Sequence, residues 1–162
     1  MMRGLRTLVL ATGLLFAAPL AARDASPHTP AVGSAERAAI LTALRTHPDL
    51  RFTFRHLRVW NDGARAIAYA EGDNGITGGF KIILTREGQA GWREVWGEGD
   101  GGSDSCAAGA RHYRWAIQLI ESYRAKPDAL VPGIAAQTRE LERMAKSEPE
   151  TQCVGDLEGG PA

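Results

Sequence analysis

The amino-acid sequence predicts an α+β protein: an amino-terminal helix packed on a four-stranded antiparallel meander, followed by two carboxy-terminal helices. Three observations carry this. Apolar residues alternate with polar ones in runs separated by turn chemistry between residues 51 and 98. Upstream, Ile40, Leu41 and Leu44 fall on one helical face. Downstream, Tyr113, Ala116, Ile117, Ile120 and Tyr123 recur at helical spacing.

The first residues read as an export signal rather than as part of the fold. Arg3 and Arg6 precede an uncharged apolar run from Leu8 to Ala18, and Pro19 leads into the small residues Leu20-Ala21-Ala22. That order is the one a signal peptide shows, with cleavage after Ala22 or Ala25. The run is shorter than the roughly 20 apolar residues a spanning helix needs. Residues 1–22 are therefore expected to be removed, leaving no membrane span in the mature chain. Residues 23–33 contain two prolines and no apolar period, and read as a flexible lead-in.

A single α+β domain is expected over residues 34–146. Ser34 is placed to cap a helix over 35–46, with Glu36 in its first turn and Pro48 limiting its end. Phe52 and Phe54 then alternate with polar neighbours, and Leu57 and Val59 continue on the opposite parity. This implies a bulge near Arg55-His56 or a strand covered on both faces. Asn61-Asp62-Gly63 is turn chemistry. In the second strand Ala64, Ala66, Ala68 and Ala70 share one face, which suits the close approach of a helix. The third strand places Phe80, Ile82 and Leu84 on one face, and the fourth places Trp92 and Trp96 together with Val95 opposite. Such a meander can leave one face wet, with the first helix covering the other. Helices over 106–124 and 134–146 follow, the second with apolar points at Ile134, Leu141 and Met144. Residues 147–162 form an acidic tail, loose apart from its tether at Cys153.

The run from Arg37 to Arg45, the strand Phe52 to Val59 and the later Trp92-Arg93-Glu94-Val95-Trp96 carry a resemblance. Over roughly Arg37 to Cys106 the chain resembles small exported bacterial proteins of uncharacterised function with a cystatin-like or nuclear-transport-factor-2-like shape. That resemblance implies one helix cradled by a curved antiparallel sheet. It implies no defined activity and supplies no catalytic residues.

Charge and cysteine content narrow the function further. Loss of Arg3 and Arg6 with the signal leaves 17 basic residues against 19 acidic ones, a formal charge of −2. That balance offers no footprint for nucleic acid. Cys106 and Cys153 are an even pair in an exported chain and read as a disulfide. Closing that loop stabilises by roughly 4 kcal/mol on the chain-entropy account. Metal ligation would need more ligands at suitable spacing, and a catalytic thiol would need a histidine partner.

No motif of catalysis or cofactor binding is present in the sequence. His-Glu-x-x-His is missing, Gly102-Ser103-Asp104-Ser105-Cys106 lacks the second glycine of a nucleophile elbow, and no Gly-Lys-Ser/Thr ends a glycine-rich run. His28 and His47 read as solvated and His112 as a surface residue. Glu71, Glu94 and Glu98 read as solvent-face charges. His56, at the parity switch, and Tyr69 are candidates for lining a pocket. One constellation remains: the acidic loops after strands two and four, with Asp73 and Asn74 in one and Asp100 and Asp104 in the other. In a meander these strands run the same way, so both loops emerge at one end as a candidate surface for a cation or a partner.

Two functional readings follow. The first is an exported, non-enzymatic binding protein of the cell envelope that recognises a protein or peptide in an inhibitor, immunity-type or accessory role. Trp60, Trp92, Trp96 and Trp115 are candidate anchors for it. The second is a small enzyme or ligand carrier using a cavity between helix and sheet. Neither reading invokes a cofactor. Export predicts a periplasmic or secreted mature protein beginning near Arg23. Amino-terminal sequencing of cell fractions checks this, and intact Met1 recovered from the cytosol would refute it.

Overall fold

The computed structural model describes residues 26–102 and 104–161. The expected export signal lies outside the described residues. The elements run α1 (Ala35–Leu44), β1 (Thr53–Asn61), β2 (Arg65–Asp73), β3 (Gly79–Glu87), β4 (Arg93–Gly99) and β5 (Asp104–Ser105), then α2 (Cys106–Ser122), α3 (Pro127–Leu130), α4 (Ile134–Ser147), β6 (Gln152–Val154) and β7 (Leu157–Gly159). The fold is α+β. Its main sheet has five antiparallel strands in the order β1-β2-β3-β4-β7, and β5 and β6 form a separate two-stranded ribbon.

The amino-terminal helix forms where its cap predicts. Ser34 Oγ accepts the Arg37 N–H at 3.2 Å, satisfying one of the orphan donors of the first turn. The helix stops at Leu44, two residues earlier than expected. The chain turns tightly there, with the Thr46 N–H reaching the Leu44 carbonyl. The parity switch in β1 is a bulge at Arg55: Phe54 pairs with Gly72 and His56 pairs with Glu71. The extra residue returns Leu57 and Val59 to the face of Phe52 and Phe54, and all four pack in one apolar cluster.

β2 is buried on both sides, from Ala66 through Ala70 without a break. Ala66, Ala68 and Ala70 face the cluster that holds Ile40 and Leu44 of α1. Ile67 and Tyr69 face the opposite cluster, built with Tyr113, Ile120, Leu130, Ile134 and Leu141 of the three later helices. Helices thus pack on both faces of the sheet, and the face that such a meander can leave wet is covered by α2, α3 and α4 over Ile67 and Tyr69.

A second bulge corrects the placement of the tryptophans. Ile83 pairs with Trp96 but Leu84 pairs with Glu94, so Val95 is the extra residue in β4. Trp92 therefore joins the α1 cluster while Trp96 enters the other. Trp96 is fully buried; its Nε1 donates to the His112 carbonyl at 3.2 Å and its indole stacks on the His112 ring, centroids 4.9 Å apart. His112 is consequently a core residue and not a surface one, with Nε2 2.9 Å from the Gly97 carbonyl.

Both ends of the described chain are more ordered than their composition suggests. His28, in the expected flexible lead-in, exchanges backbone hydrogen bonds with Val59 at 2.9 and 2.8 Å. The acidic tail supplies β6 and β7, and β7 completes the main sheet beside β4. These segments carry no apolar periodicity because each pairing is three residues or shorter. Cys106 and Cys153 form the expected disulfide, Cα atoms 4.8 Å apart across 47 residues of sequence. It ties the start of α2 to β6. Replacing both cysteines by serine should lower stability by about 2–4 kcal/mol. Urea unfolding checks this, and reduced wild-type protein should match the variant.

Candidate functional site

Rows of cross-strand partners build the site. The buried row Tyr69–Ile83–Trp96 is followed, one step toward the strand ends, by Glu71–Lys81–Glu98. Alternation puts all six on the face that α2, α3 and α4 cover further up. At this end the face opens as a cleft of about 480 Å³, floored by the charged row and flanked by Arg55, Asp73 and Asp100. Glu71 and Glu98 are not free solvent-face charges, as their side chains keep only 18% and 13% of their exposure.

Two linked sets of contacts hold the row. Tyr69 Oη donates to Glu71 Oε2 at 2.8 Å, and Arg55 Nη1 lies 3.2 Å from Glu71 Oε1. Tyr113 Oη donates to Glu98 Oε2, and Lys81 Nζ lies 3.4 Å from that same oxygen and 3.0 Å from Tyr113 Oη. Burial first, then the neighbouring carboxylates, push both tyrosine hydroxyls far above their ordinary range. They stay protonated and act as fixed donors rather than bases. The arrangement is a rigid platform of alternating charge, with Arg55 reaching into solvent at 75% side-chain exposure.

The expected site residues divide around this platform. Asp73 and Asp100 share the cleft, one at each side. Each carboxylate is engaged: Asp73 accepts the Gly75 N–H of its own turn at 2.7 Å, and Asp100 accepts the Gly79 N–H at the start of β3 at 2.5 Å. Asn74 caps its own turn by accepting from Ile76 and Thr77, and lies on the α1 side. Asp104 is turned toward the tail and accepts the Leu157 N–H at 3.1 Å. Among the described residues no three His, Cys, Asp or Glu side chains gather to hold a metal ion. The three carboxylates are thus engaged separately, Asp73 in its own turn, Asp100 at the start of β3 and Asp104 at β7. His56 of β1 pairs with Glu71 of β2 and lies outside the lining of this cleft, while Tyr69 is buried behind the platform. Arg55, Lys81, Glu98 and Tyr113 are the residues that sequence reasoning missed. Glu71 alternates with Tyr69, Lys81 with Ile83 and Glu98 with Trp96, which was the available signal, but these charges become a row only once the register is known.

A second opening, of about 460 Å³, lies at the same end on the α1 side of the sheet. α1 ends at Leu44, leaving Phe52, Phe80 and Ile82 as its apolar floor. Glu94 and Glu158 stand on its wall, on either side of Gly97. Burial first, and then the charge of Glu158, hold the Glu94 carboxyl above its ordinary range. Among the described residues no helix is long and apolar enough to cross a membrane. Comparison of the chain with protein families, curated proteins and solved structures returned no match.

His112 sits behind the platform, and burial lowers its pKa against the smaller opposing effects of the Gly97 carbonyl and Glu98. The folded protein therefore binds fewer protons than the unfolded chain below about pH 6.5. The stability this residue contributes is present above that pH and is lost progressively as pH falls from there through the lowered pKa of the folded state. The slope from one such group is at most about 1.4 kcal/mol per pH unit. In denaturant titrations from pH 7.5 to 5, His112→Gln should flatten the loss relative to wild type. An unchanged slope would remove His112 as its source.

Proposed function

We propose that this chain is an exported, non-enzymatic binding protein of the cell envelope that recognises a protein or peptide partner. The observation that carries the reading is the charged row Glu71–Lys81–Glu98 with Arg55 at its edge, braced from behind by two buried tyrosine hydroxyls. Such a surface is already ordered before a partner arrives, so little side-chain entropy remains to be lost on binding. Alternating fixed charge also sets register and rejects mismatched partners. Export rests on the signal-like residues 1–22 and agrees with the Cys106–Cys153 disulfide. An inhibitor, immunity-type or accessory role is compatible with this surface.

The enzyme or carrier reading has less support. It needs a cavity between helix and sheet, and that space is filled by Ile40, Leu44, the alanine row and Leu84. The tyrosines of the platform are held protonated, and each platform glutamate is held by a tyrosine hydroxyl and a cation.

Charge reversal at the exposed edge tests the proposal. Arg55→Glu should lower the midpoint of thermal unfolding only modestly: the arginine is mostly solvated, but the new carboxylate faces the partly buried Glu71. It should weaken capture of the partner from an envelope extract by about tenfold. Equal capture by wild type and variant would remove the platform from recognition.

A further inference from the structure

The groove on the α1 side has chemistry that the platform lacks. Its floor is apolar, formed by Leu50, Phe52, Phe80 and Ile82 where the helix stops. Ile76 stands exposed at its rim, at 58%. Its wall carries two carboxylates that the fold itself brings together. The Val95 bulge returns Glu94 to this face, and the pairing of β7 with β4 sets Glu158 opposite Gly97. The glycine matters to this approach, because a Cβ at position 97 would lie 3.1 Å from Glu94 Oε1 and 3.5 Å from Glu158 Cβ.

Among the described residues neither carboxylate has an ion-pair partner, whereas Glu71 and Glu98 on the other face each have one. A half-buried carboxylate next to a second one is unfavourable, and an added positive charge would relieve it. Apolar floor and anionic wall together match a side chain with an aliphatic stem and a cationic head. A compact ammonium with three donors can bridge two carboxylates standing on neighbouring strands.

We propose that this groove receives a lysine side chain of a peptide or protein partner, its methylene stem over Phe80 and Ile82 and its ammonium between Glu94 and Glu158. The inference rests on the binding-protein reading for the class of partner, but it uses the face opposite the charged platform.

The probe is an acetylated, amidated heptapeptide with one central lysine, titrated into the full mature protein while amide NMR shifts are followed. Saturable shifts are expected at Gly97 and Ile82. They should weaken by about tenfold or more when the lysine is Nε-acetylated, and likewise in Glu94→Gln. Glu94→Gln should meanwhile keep or raise the midpoint of thermal unfolding at pH 7, since it removes a charge that burial disfavours. Loss of binding without loss of stability is not what a structural role would produce. Glu158→Gln, more exposed, provides the second variant and should weaken binding in the same sense. The assignment is overturned by absence of saturation at about 10 mM peptide. It is equally overturned by equal binding of the acetylated peptide, or by 1,5-diaminopentane binding as tightly as the peptide. Arg55→Glu should leave this titration unchanged. Failure here with intact, Arg55-dependent capture would discard the groove and leave the platform standing.

Discussion

How closely a helix can approach a sheet depends on what stands between them, and here the answer is alanine. Ala66, Ala68 and Ala70 are fully buried in the cluster that holds Ile40 and Leu44 of α1, while Ile67 and Tyr69 on the same strand are buried on the opposite side. Alanine is a poor strand former on its own, so the strand is kept by cover on both faces and not by local preference. Larger side chains in that row would lift α1 from the sheet. The end of α1 borders the apolar groove.

The two bulges divide the labour of the sheet faces. At Arg55 one extra residue keeps Phe54, Leu57 and Val59 of β1 on the α1 side with the preceding Phe52, and leaves the arginine at the edge of the platform beside Glu71. At Val95 another extra residue lets Trp92 and Trp96 serve opposite cores and sends Glu94 into the groove. Each bulge therefore places one charged residue of a candidate binding surface while it solves a packing problem. Bulges near functional edges are a common way to re-aim side chains.

Much of the fold was legible because it is local. The Ser34 cap, the Asn61-Asp62-Gly63 turn and the spacing from Tyr113 to Tyr123 act over a few residues and each formed the expected element. The Arg55 bulge was visible because Phe52–Phe54 and Leu57–Val59 disagree in parity. The Val95 bulge was not, because Trp92 and Trp96 agree in parity and fit a regular strand equally well. The tail strands were hidden because pairings this short leave no period and join residues far apart in sequence. The site was legible only in part for the same reason. Asp73 and Asp100 were found as loop residues, but the charged row exists only through the register of three strands. His112 is buried because α2 turns that side chain under Trp96, which spacing of apolar residues does not reveal.

The outer strand β1, and β4 beside the short outer strand β7, are each covered by a segment near an end of the described chain. His28 lies along β1, and residues 157–159 lie along β4. An uncovered edge offers unpaired backbone groups to another copy of the same chain, and with Trp96 on that strand it would be a sticky one. The Cys106–Cys153 link holds β7 within a few residues of its seat. Oxidation of the two thiols thereby does more than add stability to one molecule. It also fixes the chain a few residues before the strand that covers β4.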